Sequence, residues 1–438
     1  MIKKKFSLRD IYFGWWTVIS TGTISGLAHG FNSYGFSVIF KPLAAELNLN
    51  RAITSVAAGI ARLEGGLEAP LTGWLSDKFG PKWVIFTGTI IAMVGMFLMY
   101  YANSLWAYYL FWGGLIGIGI NLSMTIAMDK AVTNWFIRKR GLAHGTKFAI
   151  IGLFGVIAIP LISWIVEEAG WRNTCLIWAG VMLICLPFIL ITIKQKRPEY
   201  YGLLPDGAKS EAELGTADMM DRGVEYASGL EEEEFTLRQA MRTPAFWMIV
   251  VAMAGHTVVF GGFNTHCIPF LTDRGIDEVA AGAMMGMMVF FTIPSRFIGG
   301  IIADRVKKRH MSFLLAGSLA FQAAGLGIFC LFPSPMTVYV MLILYGFGSG
   351  ATTPFYLLIL ARFFGRKAYG SIHGATSLLR SPVQFISPVY AGWVYDTTGN
   401  YMTAFIVFAI TAAAAALVMF ACRPPRTPDQ IGDVRSFV

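Results

Sequence analysis

Gly73-Trp74-Leu75-Ser76-Asp77-Lys78-Phe79-Gly80-Pro81-Lys82 is answered, 227 residues later, by Gly300-Ile301-Ile302-Ala303-Asp304-Arg305-Val306-Lys307-Lys308. Each copy closes an apolar run and opens a basic loop. A second pair repeats the pattern, Gly141-Leu142-Ala143-His144-Gly145 against Gly370-Ser371-Ile372-His373-Gly374. Pro160 and Trp164 have partners in Pro388 and Trp393. The chain is therefore an internal duplication with a repeat of about half its length.

The rest of the sequence says what kind of unit was duplicated. Its 438 residues are 55% hydrophobic and only 14% charged, with mean hydropathy +0.58. Soluble domains carry about 25% charged residues, so a water-soluble core is excluded. Several apolar runs reach the ~20 residues that cross a hydrocarbon layer roughly 30 Å thick. Twelve spans are expected near 11–40, 52–76, 82–101, 106–136, 141–166, 172–193, 245–271, 279–304, 311–332, 336–362, 368–395 and 401–422. Runs of this length also exclude a β-barrel, whose strands alternate polarity over about ten residues. The expected fold is an all-α membrane protein, with twelve transmembrane helices in two pseudo-symmetric six-helix bundles. Residues 1–193 form the first bundle, 194–243 a cytoplasmic linker and 244–438 the second bundle. A half-chain duplication within a membrane protein is the signature of a transporter with its working site between the repeats, near the bilayer midplane.

The net charge of +9 is not a nucleic-acid footprint, because the cations gather in alternate loops. Lys3 to Lys5, Lys78 and Lys82, Arg138 to Arg140, Arg305 to Arg309, Arg362, Arg366, Lys367, Arg423 and Arg426 lie on one side. The loops between carry Glu167, Glu168, Asp277, Glu278 and Asp396. The positive-inside rule puts the basic side, with both termini, in the cytoplasm. The first span is too long for a cleavable signal peptide and reads as an anchor. The linker includes Leu204-Pro205-Asp206-Gly207 and the run Glu231 to Glu234, a composition that buries little apolar surface. Thr236 is placed to cap a short interfacial helix, with Phe235, Leu237, Ala240 and Met241 toward lipid. Cys175, Cys185, Cys267, Cys330 and Cys422 show no CxxC spacing, so neither a metal nor a cofactor is expected.

Charges inside the spans carry the chemistry. At 1.5 Å per residue, Arg296 lies about 12 Å and Arg380 about 18 Å from the basic border, both close to mid-membrane. A cation at that depth costs at least about 2.5 kcal/mol unless it meets water or an anion. Each arginine either binds an anionic substrate or pairs with an acid from another helix, for which Glu68 is the candidate. Arginine suits the first role because its planar fork meets a carboxylate bidentately. His256, about 16 Å deep, is either a proton acceptor or a hydrogen-bonded packing residue. Glu64 and Glu68 share one helix face. Asp129, Lys130 and Lys147 sit roughly 9 Å from the basic border, where they belong to a gate or, for Lys130, snorkel. Asn32 and Tyr34 lie toward the far side of the first span and either line a cavity or, for Tyr34, belong to an interfacial belt. His144 and His373 occupy repeat-equivalent positions and read as structural.

Gly73, Asp77, Lys78, Gly80 and Lys82, echoed by Gly300, Asp304 and Arg305, resemble the loop motif of the major facilitator superfamily, with Pro81 where a basic residue is usual. Gly14-Trp15-Trp16, Tyr34-Gly35-Phe36-Ser37-Val38, Phe40-Lys41, Trp135-Phe136 and Arg138 to Gly145 resemble its monocarboxylate transporter branch and the related oxalate:formate antiporters. Arg296-x-x-Gly299-Gly300-x-x-Ala303-Asp304 is similar to that branch's helix-eight arginine segment. The resemblance implies that the loop motif locks the cytoplasmic gate, that Arg296 binds a substrate carboxylate, and that Arg380 is a second basic position. The chain departs from the animal-type carriers at Thr292, where they have an aspartate, and at Tyr34, where they have a lysine. Both positions are implicated there in proton coupling, which would fall here to His256 or Glu68.

The expectation is thus a secondary carrier of small organic anions, mono- or dicarboxylates, in a bacterial-type plasma membrane. It would work by alternating access, coupled to protons or by anion exchange. A proton-driven efflux carrier for drugs or metabolites and a non-transporting ligand sensor are the alternatives. No GxSxG or HExxH motif suggests an enzyme. Substrate, coupling ion and oligomeric state are not written in the sequence.

Overall fold

Gly170, at φ +78°, divides the 53-residue helical run Arg140–Thr192 into two rods, because a residue without Cβ adopts that backbone at no steric cost. The computed structural model describes residues 12–48, 51–208, 221–222, 233–276 and 278–426. Among the described residues, twelve long rods follow one another and no strand occurs. They are α1 (13–46), α2 (Arg51–Phe79), α3 (Pro81–Met99), α4 (Leu105–Trp135), α5 (140–169) and α6 (171–192), then α7 (Pro244–Thr272), α8 (Glu278–Arg305), α9 (Met311–Leu331), α10 (Pro335–Phe364), α11 (Tyr369–Thr398) and α12 (Met402–Ala421).

Local chemistry sets the rod starts. Pro81, Pro244 and Pro335 stand at first-turn positions, where a missing N–H costs nothing. Thr243 caps α7 by accepting from the Phe246 amide at 3.3 Å, and Ser334 forms a capping box with Thr337 before α10. Two rods are irregular. α1 opens into a π-helical turn at Gly30–Gly35. α4 has another at Tyr109–Ile116 and a break at Thr125. Among the described residues, eight stretches suffice by length and hydropathy to cross a membrane: α3, α4, α6 with the end of α5, α7, α8, α9, α10 and α12. Of the more polar rods, α2 carries Glu64 and Glu68, α5 Lys147 and α11 Arg380.

The chain divides into two compact units, Met1–Glu231 and Glu232–Val438. Inside the first, α1 packs on α5, and α4 on both α2 and α3. Inside the second, α7 packs on α11, and α10 on both α8 and α9. The pairings correspond one to one, as the duplication requires. Small residues make these contacts close. A Cβ on Gly119 would lie 2.3 Å from the Ala92 amide nitrogen, and one on Gly346 would lie 2.4 Å from the Met288 carbonyl; van der Waals packing of this kind drives helix association where lipid removes the hydrophobic incentive. Each unit has its own apolar core. Phe31, Trp112 and Trp178 anchor the first, and Phe263, Tyr345, Phe405 and Phe329 the second. Ile184, Ile191, Ile410 and Leu417 remain exposed, the outward apolar surface that a bilayer covers.

The stretch between the bundles touches both units locally. The amides of Ile137, Arg138 and Lys139 donate to the Asp206 carboxylate at 2.8–3.3 Å. In the second unit the Lys367 amide donates to Glu234 at 2.5 Å, and the Phe235 amide to the Phe364 carbonyl at 3.0 Å. The short helix Leu237–Met241 is present, with a Thr236–Gln239 capping box. Its expected lipid face is corrected in part: Phe235 and Ala240 are fully buried, Phe235 against Phe364, whereas Met241 is exposed. Phe235 pairs through its backbone with the end of α10, which turns its ring inward.

Candidate functional site

In the second unit, the intramembrane charges of α7 and α11 come with polar partners that their sequence surroundings do not announce. Arg380 projects from α11 over the ring of Tyr356 on α10, with Cζ 4.8 Å from the ring centroid. Its Nε–H donates to the Thr376 carbonyl at 3.1 Å and Nη2 to the Ser377 hydroxyl at 3.2 Å. Both acceptors are neutral, and among the described residues no carboxylate pairs with the guanidinium. Among those residues the positive charge is therefore not cancelled.

His256 on α7 is buried and held by a chain of neutral groups. Its Nδ1 lies 3.1 Å from Gln322 Oε1 on α9. The Gln322 amide donates to Thr352 Oγ1 on α10 at 2.9 Å and to the Ser318 carbonyl at 3.4 Å. With its amide hydrogens so committed, Gln322 offers only its carbonyl, and Nδ1 of His256 must be the donor. When the ring is neutral, its lone pair is therefore on Nε2. The sequence gives no carboxylate-bearing partner for His256 within α7, and the structure supplies an amide instead.

The other expected site residues are placed as follows. Arg296 on α8 is partly buried, next to Thr292 and Ser295, whose backbone and side chains face Gly350 of α10. Asn32 lies in the π-helical turn of α1, partly buried. Such turns concentrate at functional positions. Tyr34 shares that turn, but its side chain is outside the described residues. Glu64 Oε2 and Glu68 Oε1 on α2 are buried without a hydrogen-bond partner among the described residues.

The loop motif is tied into the first unit on its cation-rich face. Asp77 pairs with Lys130 of α4, which corrects a snorkelling Lys130. Lys130 is 5% exposed and turned inward. Lys147 of α5 pairs with Asp129 at 2.6 Å, and His144 Nε2 lies 3.0 Å from the Thr133 hydroxyl. Gly80, at φ +82°, brings its Cα so close to the Gln195 carbonyl that a Cβ would lie 2.3 Å from it. Lys78 lies over Trp74 and Lys82 over Trp83. Gly73 is buried. In the second unit Gly300 is buried, Asp304 partly so, and Arg305 is exposed at the end of α8. The loop that follows is held by Arg362 of α10, which donates to the Val306 carbonyl at 2.5 Å. Among the described residues no three His, Cys, Asp or Glu side chains group to hold a metal ion.

The sequence profile of the Major Facilitator Superfamily matches residues 22–388. The chain belongs to that superfamily. It is a multi-pass membrane transport protein and not an enzyme. Among curated relatives it is similar to monocarboxylate transporter 13 of Rattus norvegicus, 25% identical over 399 residues, covering 90% of this chain and 85% of that one. It is also similar to monocarboxylate transporter 2 of Mesocricetus auratus, 22% identical over 425 residues, covering 93% and 84%. Among solved structures, the proton:xylose symporter XylE bound to 6-bromo-6-deoxy-D-glucose aligns with a TM-score of 0.70 at 13% identity, over 94% of this chain and 97% of that one. The human organic anion transporter MFSD10 aligns with a TM-score of 0.60 at 15% identity, over 93% and 97%. These structural likenesses carry the fold alone. Twelve helices in two pseudo-symmetric bundles are the architecture of this superfamily member.

Proposed function

We propose that this major facilitator carries small organic anions, mono- or dicarboxylates, across the plasma membrane by alternating access, with both termini cytoplasmic. The observation that carries the reading is Arg380, a cation about 17 Å along α11 whose partners among the described residues are a carbonyl, a hydroxyl and an aromatic ring, none of them charged. Arg380 is partly buried, and a cation at that depth without a protein acid is costly unless a solute anion or water completes it. The likeness to monocarboxylate transporters supports a carboxylate as that anion. Arg296 is the second cation of the site, with His256, Asn32 and Tyr34 as further substrate-facing candidates. His256 and Glu68 are the groups that would carry a coupled proton. Asp77 with Lys130, together with Gly73, Lys78, Gly80, Lys82, Gly300, Asp304 and Arg305, serves the cytoplasmic gate. Residues 194–243 link the bundles 1–193 and 244–438.

The binding logic follows from the charge. A carboxylate that meets a guanidinium bidentately removes the penalty of enclosing an uncompensated cation, so the loaded carrier reorients more readily than the empty one. The test is uptake of radiolabelled lactate, formate and oxalate into proteoliposomes, with and without an inward proton gradient. Saturable uptake of at least one anion, lost in Arg296→Ala, is expected. Stimulation by the gradient marks symport, and stimulation by internal anion marks exchange. Full uptake by Arg296→Ala removes that residue from the site.

A further inference from the structure

The surroundings of Arg380 prescribe which edge of its guanidinium an anion can use. We propose that Tyr356 and Thr376 are positioning residues that present Arg380 to a carboxylate end-on, through Nη1 and Nη2. The inference rests on the reading of Arg380 as an anion's partner and adds how that partner is held.

Thr376 is fully buried on α11, and its hydroxyl lies 2.8 Å from the His373 carbonyl. A carbonyl only accepts, so the single hydroxyl hydrogen of Thr376 goes there. The hydrogen bond between Thr376 Oγ1 and the Tyr356 hydroxyl must then be donated by tyrosine. Tyr356 is 2% exposed, so its ring is fixed by packing and its hydroxyl by this bond. The ring in turn lies beneath Arg380. Of the five N–H groups of the guanidinium, Nε–H and one Nη2 hydrogen are committed to Thr376 and Ser377 of the preceding turn. Nε and Nη2 form the side edge of the fork, and that edge is closed by the helix. Both Nη1 hydrogens and the second Nη2 hydrogen remain, which is the end edge that grips a carboxylate with two parallel bonds. An aromatic ring suits the task because its π-face stabilises the cation without neutralising it. A carboxylate in place of Tyr356 would cancel the charge that the anion needs.

Three consequences separate a positioning role from mere packing. Loss of the ring should weaken anion binding more than it slows turnover. Loss of only the hydroxyl should do little. Neither should matter once Arg380 is gone. The experiment measures KM and maximal rate for the best transported of lactate, formate and oxalate, in proteoliposomes with the full chain. The variants are Tyr356→Leu, Tyr356→Phe, Thr376→Ala, Arg380→Ala and the double variant Tyr356→Leu/Arg380→Ala. Insertion and folding of each are checked by monodisperse elution and by the amount reconstituted. Tyr356→Leu should raise KM about tenfold, and Tyr356→Phe should return it to within about threefold of wild type. Thr376→Ala should fall between them, and Tyr356→Leu should add nothing in the Arg380→Ala background. An unchanged KM in a folded Tyr356→Leu protein, or the same increase with and without Arg380, overturns the positioning role. Should Tyr356→Leu not fold, an unchanged KM in a folded Thr376→Ala protein overturns it equally. A wild-type KM in Arg380→Ala, or no transport of any of the three anions, rejects instead the underlying assignment of Arg380, and the positioning role with it.

Discussion

Lys147 shows how much one side chain can hold in this protein. It is buried on α5, with its ammonium 2.6 Å from Asp129 of α4. Removing one partner leaves a charge with no water to solvate it, which costs about 3–5 kcal/mol. Lys147→Met should therefore lower the melting temperature of the detergent-purified protein clearly, and Asp129→Asn added to it should recover most of the loss. Glu46 behaves differently because it is exposed, at the far end of α1 beyond the span. It accepts from Arg172 Nε at 2.9 Å and from Trp171 Nε1 at 2.6 Å. The hydrogen bond from Arg172 is the main cause that holds its carboxyl below the ordinary value, against a smaller upward push from burial. A depressed folded-state pKa gives stability that is complete above the unfolded carboxyl value, near 4.3, and is lost as pH falls through the lower folded value. Glu46→Gln should thus melt earlier than wild type at pH 7, with the gap narrowing below about pH 4.

At the scale of elements, the two connections that precede α5 and α11 are each capped by an acidic residue from the stretch between bundles. Asp206 accepts from three consecutive amides, and Glu234 accepts from the Lys367 amide. Asp206→Ala leaves those three donors without their acceptor, a loss of about 1–3 kcal/mol for each group kept from water. Hydrogen exchange of residues 137–139 should accelerate in that variant and stay unchanged at 366–368. The rods themselves were legible, since apolar runs longer than 18 residues have few other uses. Their faces were less so. Phe235 and Ala240 fit a lipid-facing pattern but are buried, because a hydropathy pattern does not distinguish lipid from a neighbouring helix as the apolar surroundings. The cations Arg380 and Lys130 stood out within apolar runs, whereas Gln322, Thr352, Tyr356 and Thr376 did not. Uncharged polar residues are ordinary in spans, and their meaning lies in contacts between helices such as Tyr356 with Thr376, which spacing along the chain does not encode.

For the whole molecule, the duplication in the sequence reappears as matched packing in two units, α1 on α5 as α7 on α11, α4 on α2 as α10 on α8. The charges do not follow that symmetry. The first unit neutralises its buried lysines internally, Lys130 with Asp77 and Lys147 with Asp129. In the second, Arg380 has only neutral partners among the described residues. That asymmetry fits the proposed anion transport: the first unit pairs these two lysines with acids, while the second offers a cation that no carboxylate pairs with among the described residues. The most direct measurement is calorimetric titration of oxalate, and separately of lactate, into the purified wild-type protein and Arg380→Gln. Saturable binding of at least one anion near one per chain to the wild type, and at least tenfold weaker binding to Arg380→Gln, is the result expected from a carboxylate held by a charge-assisted bidentate pair. Equal affinity in the two proteins, or no binding of either anion to the wild type, would contradict the account.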